Sequence, residues 1–190
     1  KTLVDGLPDA HLEDATRLMQ DVMAVLSDEE VAMAEETHSY VVQILERIKD
    51  ALAPGRTGRE VMAEGIHTAA QLGCLDGMAH VSTKEGSGTR PGSDRPFDEE
   101  DIVKVFLEWA GPNGFLIELG VVFSFQTPPE RKLRKYETVV KAMERAAALM
   151  RPGTKAGELC EVIEQAYRDD GWNVTGRRLW DFHGQGLNSL

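Results

Sequence analysis

Leu45-Glu46-Arg47-Ile48-Lys49-Asp50-Ala51-Leu52-Ala53-Pro54-Gly55 returns 98 residues later as Met143-Glu144-Arg145-Ala146-Ala147-Ala148-Leu149-Met150-Arg151-Pro152-Gly153. The same offset pairs Val41 with Val139, Val42 with Val140, Glu60 with Glu158 and Gly73 with Gly171, so the repeat runs through two successive segments. Solenoids and propellers repeat every 20 to 50 residues or so. A period this long makes each copy half of a domain, and a crevice between halves is a natural ligand site. The alternative is two unrelated helical hairpins that share generic helix-stop signals.

Upstream of the phrase, Ser27-Asp28-Glu29-Glu30 is a capping box, in which the serine oxygen accepts a backbone N–H and the glutamate reaches back. A helix therefore starts there, with Val41, Leu45, Ile48 and Leu52 on one apolar stripe and Pro54-Gly55 as its stop. Residues 57–73 read as a second helix with Val61, Met62 and Ile66 inward. The second copy repeats the pair, with Tyr136, Val139, Val140 and Met143 on one helix and Leu159, Val162, Ile163 and Ala166 on its partner. Between the copies, residues 102–109 and 115–125 are rich in β-branched and aromatic side chains. Gly111-Pro112-Asn113-Gly114 divides them into an antiparallel hairpin. A helix pair followed by strands, twice, is an α+β plan with helices on one face of a curved sheet. Residues 1–26 read as a linker or lead-in helix, and residues 27–190 as the main domain.

Composition narrows the function classes. With 42% apolar and 28% charged residues, the chain has the makings of one substantial core. A formal net charge of -11 disfavours phosphate backbones and anionic membranes, because the long-range field has the wrong sign. Cys74 and Cys160 offer no Cys-x-x-Cys spacing and fit reduced thiols in a reducing compartment. No stretch approaches the roughly 20 apolar residues of a membrane span, and no signal-peptide core opens the chain. The expectation is a soluble, cytoplasmic protein.

Two carboxylates stand out. Glu108 ends the first strand and Glu118 lies in the second, so a hairpin can bring them face to face. Converging carboxylates suit a divalent cation, which prefers hard oxygen donors. The plainer reading is that one or both simply face solvent. His183 sits in Asp181-Phe182-His183-Gly184-Gln185-Gly186, where the glycines allow close approach of backbone and ligand. His67 follows Glu64 without the His-Glu-x-x-His pattern of zinc proteases, and His11, His38 and His80 read as structural or exposed. No Gly-x-Ser-x-Gly elbow is present, and residues 86–93 form a glycine-rich loop without the phosphate-binding pattern.

Together these features resemble the creatinase, prolidase and aminopeptidase superfamily, whose pita-bread domain is built from two related α+β halves. The similarity covers most of the chain. Phe182-His183-Gly184-Gln185-Gly186 is similar to the family's Gly-His-Gly-x-Gly segment, and the strand pair stands where the family carries Asp-x-Gly and Gly-Tyr-x-x-Asp-x-x-Arg-Thr-Phe. The resemblance implies a hydrolase cleaving a C–N bond in a small peptide or amidine-like substrate, and a homodimer. It also implies two divalent cations (Mn, Co or Zn), held here by Glu108, Glu118 and His183, with His183 and Glu118 as the catalytic pair.

The departures are specific. Glutamates replace both aspartates, which lengthens each carboxylate by a methylene; Phe115 stands for the tyrosine and Val121 for the arginine; and no histidine lies near Arg90. The chain starts without methionine and stops before the two later glutamate ligands, so the expectation is a piece of a longer enzyme, or else a shortened relative without catalysis. Creatinase-like chemistry without a metal is the second enzymatic version, with His183 as acid or base and a glutamate holding a cationic group. A non-catalytic peptide- or protein-binding pseudoenzyme is the rival from another class.

Overall fold

Ser27 caps the first long helix as its sequence demands. Its hydroxyl accepts from the Glu30 N–H, and its own N–H donates to the Glu30 carboxylate at 2.7 Å. The computed structural model describes residues 3–7, 9–74, 76–83, 92–174, 183, 185 and 186. Within them the order is α1 (Leu3–Gly6), α2 (Thr16–Met23), α3 (Asp28–Ala51), α4 (Gly58–Gln71), β1 (Asp76–Ser82), β2 (Ile102–Ala110), β3 (Leu116–Ser124), α5 (Glu130–Leu149) and α6 (Ala156–Asp169). This is the expected α+β arrangement, built on an antiparallel three-stranded sheet ordered β1-β2-β3.

α3 lies against α4 and across β2 and β3, while α4 lies on β1. Val41, Ile44, Ile48, Val61 and Ala69 meet Val81, Val103, Val105 and Leu107 in the main core. Buried positions alternate along β2, so Val103, Val105, Leu107 and Trp109 point at the helices. The intervening residues form the opposite face. Gly65 lets α3 and α4 close together, since a Cβ there would sit 2.6 Å from the Ile48 Cδ1. α5 and α6 pack on each other around Ala142, Ala146, Ile163, Ala166 and Tyr167.

The 98-residue offset carries into the backbone. α4 and α6 begin and end at positions related by it, and Gly55 and Gly153 (φ 86° and 92°) and Gly73 and Gly171 (φ 76° and 78°) take matching left-handed conformations. The helix ends match bond for bond: Cys74 N–H donates to Ala69 O and Trp172 N–H to Tyr167 O. These are Schellman closures, which need a residue at positive φ after the helix.

Several sequence expectations change. β1 was not anticipated, because Asp76-Gly77-Met78 opens it with weak strand formers. Ile66 is exposed and its place on the inner face of α4 is taken by Gly65 and Ala69. On α5, Tyr136, Val140 and Met143 are exposed, and the buried stripe is Thr138, Ala142 and Ala146. Small side chains win there because the two helices approach closely. Residues 9–15 carry no helix, and α2 follows at Thr16. Most of the glycine-rich loop, together with Arg90, Asp181, Phe182 and Gly184, lies outside the described residues.

Candidate functional site

The β2–β3 turn sets the geometry. Gly114 takes φ 84° and donates to Gly111 O at 2.8 Å. Asn113 pins the turn to α3: its Oδ1 accepts from the Phe115 N–H and the buried Thr37 hydroxyl, and its Nδ2 donates to Met33 O and the Glu36 carboxylate. Gly111 is required beside it, because a Cβ there would run into the Thr37 hydroxyl.

With the turn fixed, the register places Glu108 directly opposite Glu118. Both belong to the face turned away from α3 and α4, with Met78, His80, Phe106 and Gly120. Side chains so paired have Cβ atoms about 4.5–5.5 Å apart, and like charges there repel. His183 answers one of them, with its Nε2 3.1 Å from Glu118 Oε2. Both side chains are about one-third exposed.

Backbone bonding along β3 brings His183 in. β2 occupies one edge of β3, and on the other Leu116 N–H donates to Gly186 O at 2.7 Å while Glu118 N–H donates to the Gln185 Oε1 at 2.6 Å. Residues 65 positions apart thus meet through one strand edge.

Glu118 and His183 are therefore brought together, and Glu108 is set across from Glu118. Among the described residues, no three His, Cys, Asp or Glu side chains form a group able to hold a metal ion. Two converging donors, one of them spending its nitrogen on the other, fall short of a cation's shell. The described residues do not fit a two-cation centre.

His80, set aside in the sequence as structural or exposed, lies on this same face. Its ring centroid is 6.1 Å from that of Phe106, and its Nδ1 is buried with no hydrogen-bond partner among the described residues. The register alone would have found it, because His80 pairs with Phe106 one row along from Glu108. Gln185, which fixes the height of Glu118, carried no sequence signal.

Comparison with known proteins agrees with the fold. The family model of metallopeptidase family M24 matches residues 32–189. Among solved structures, the prolidase from Pyrococcus horikoshii superposes with a TM-score of 0.79 at 18% identity, over 90% of this chain and 50% of that one. The X-Pro aminopeptidase from Thermotoga maritima gives 0.81 at 16% identity, over 97% and 53%. The dipeptidase PepE from Mycobacterium ulcerans gives 0.78 at 22%, over 97% and 50%. The chain spans about half the length of these structures. No curated protein matches it. With most of its length accounted for by the family model, the chain belongs to metallopeptidase family M24, and its fold is of the pita-bread, creatinase and aminopeptidase kind.

Proposed function

We propose that this chain is part of a creatinase- or prolidase-like hydrolase that cleaves a C–N bond in a small peptide or amidine-like substrate. The observation that carries the reading is the Glu118–His183 pair, 3.1 Å apart on the open sheet face of a peptidase-family fold. If Nε2–H donates to the Glu118 carboxylate, the lone pair of the neutral ring sits on Nδ1. Nδ1 then takes a proton from water as the water oxygen bonds to the substrate carbon, and the same proton passes to the leaving nitrogen as the C–N bond breaks. Glu118 orients the ring, and Glu108, opposite, holds a cationic group of the substrate. No step runs through a metal, and were a cation to bind, Glu108, Glu118 and His183 are the ligands the chain offers.

In this reading residues 27–190 are a catalytic domain of two related halves, the second incomplete, preceded by a lead-in over 1–26, and the protein is a cytoplasmic homodimer. The matching helix ends and left-handed glycines at the 98-residue offset support the halves. No described helix is long and apolar enough to cross a membrane.

A second reading is a pita-bread pseudoenzyme that binds peptides or proteins, in which Glu108 and Glu118 are ordinary carboxylates beside a recognition groove. The test is hydrolysis of Xaa-Pro dipeptides and of creatine by the protein, with metal content measured in parallel, for the parent, Glu118→Gln and His183→Asn. Turnover without bound metal, lost in both variants, supports the proposal. Turnover that tracks about two cations per chain replaces it with metal chemistry. Peptide binding without turnover in all three proteins selects the pseudoenzyme.

A further inference from the structure

The chain holds three asparagines, Asn113, Asn173 and Asn188, and only Asn113 is followed by glycine. Without a side chain, Gly114 leaves its backbone nitrogen unshielded and its backbone free to turn toward the residue before it. An Asn-Gly step is open to attack from within. The Gly114 nitrogen bonds to the Asn113 Cγ, the Cγ–Nδ2 bond breaks, and the proton of the Gly114 N–H leaves with Nδ2 as ammonia. Water then opens the five-membered imide at one of its two carbonyl carbons. Opening at Cγ leaves an aspartate. Opening at the backbone carbonyl leaves an isoaspartate, whose main chain runs through Cβ and Cγ and is one carbon longer.

In the folded turn the reacting groups are all engaged elsewhere. The Gly114 N–H donates to Gly111 O at 2.8 Å. The Asn113 Oδ1 accepts from the Phe115 N–H at 2.9 Å and the buried Thr37 hydroxyl at 3.1 Å, while Nδ2 donates to Met33 O at 3.1 Å and the Glu36 carboxylate at 2.9 Å. Both acceptor and both donor positions of the amide are thus filled. Attack requires the amide to swing off α3, so the bonds that pin the hairpin also restrain the chemistry.

Neither product fits the place the amide leaves. An aspartate keeps the Oδ1 acceptor but sets a second carboxylate where Nδ2 lay beside Glu36, and like charges so close repel. An isoaspartate is worse, because its extra carbon breaks the spacing by which Gly111 bonds to both Gly114 and Phe115 across the turn.

We propose that Asn113 is a deamidation site gated by the hairpin turn, with water as its co-reactant. Release of the turn from α3 permits the conversion, and the acidic product keeps the turn from seating again, which withdraws the support that sets Glu108 opposite Glu118. Loss of ammonia makes the step one-way. The site stands independently of the hydrolase reading.

The experiment ages the protein in mildly alkaline buffer and follows the tryptic peptide 105–131, whose one asparagine is Asn113, by mass spectrometry. Expected is a gain of about one dalton at residue 113, at least about tenfold slower in the folded protein than in concentrated urea, because opening must precede attack. Thr37→Val should raise the folded-state rate about fivefold and Glu36→Ala about twofold, in keeping with the hydrogen bond each removes. Circular dichroism confirms that each variant is folded, and Glu36→Ala, at an exposed position, carries the comparison if Thr37→Val is not. Asn113→Asp, which stands for one product, should unfold at a lower urea concentration than the parent. Equal rates in the folded and urea-unfolded parent overturn the proposal. So do folded variants that convert no faster than the parent, or an Asn113→Asp protein as stable as the parent.

Discussion

Replacing Asn113 with alanine should cost more than any surface polar substitution in this chain, because one side chain joins the hairpin turn to α3. Its Oδ1 accepts from the Phe115 N–H at 2.9 Å and the Thr37 hydroxyl at 3.1 Å, and both residues are essentially inaccessible to solvent. Truncation orphans two buried donors at about 1–3 kcal/mol each. The Nδ2 bonds add little, since Met33 O lies within α3, which has its own ladder, and Glu36 is exposed. We expect a loss of about 3 kcal/mol, or about 6–12 °C in Tm for a chain of this size. Urea and thermal unfolding of Asn113→Ala, Thr37→Val and the double variant measure it. Thr37→Val removes one orphaned donor, so the double variant should be less destabilised than the sum by about 1 kcal/mol. A loss below about 1 kcal/mol for Asn113→Ala, or strict additivity, would refute the reasoning and the claim that this residue sets the hairpin that opposes Glu108 to Glu118.

Gly77→Ala should destabilise by more than about 2 kcal/mol, because its Cβ would overlap the Glu108 carbonyl and the Trp109 ring and push β1 off β2; an unfolding curve matching the parent's would contradict this. Thr57→Ala should cost about 1 kcal/mol in urea, as it breaks the α4 capping box in which the Thr57 N–H, and then its hydroxyl, hold the Glu60 carboxyl below its ordinary value. Asp170 is likewise held below its ordinary 3.8, first by the Thr138 hydroxyl and next by the Lys141 ammonium. A depressed folded-state value means stability that is present above 3.8 and lost as pH falls through the folded value. Asp170→Asn should therefore be less stable than the parent at pH 7, with the gap closing on acidification below pH 3.8; a pH-independent gap would show that the charge is not the cause.

Local signals fared best where they rest on bonds within a few residues. The Ser27 box, the Pro-Gly stops and the paired glycines all formed where their chemistry requires, since caps and left-handed turns are satisfied locally. Which face of α5 is buried was misread, because hydrophobicity favoured Tyr136 and Met143 while the close approach of α6 admits only Thr138, Ala142 and Ala146. β1 escaped notice because its strand character comes from pairing with β2 rather than from its own residues.

For the site the division is similar. The α+β plan, the 98-residue repeat, the hairpin turn and the two glutamates on either side of it are legible in the residues alone, because each follows from periodicity or turn chemistry. That Glu118 meets His183, that Gln185 fixes the Glu118 backbone and that His80 shares their face emerge from the folded chain and from no local pattern. Those contacts depend on which strand edge a distant segment bonds to and on the register of a sheet, and a one-residue slip in register would turn every one of these side chains to the opposite face.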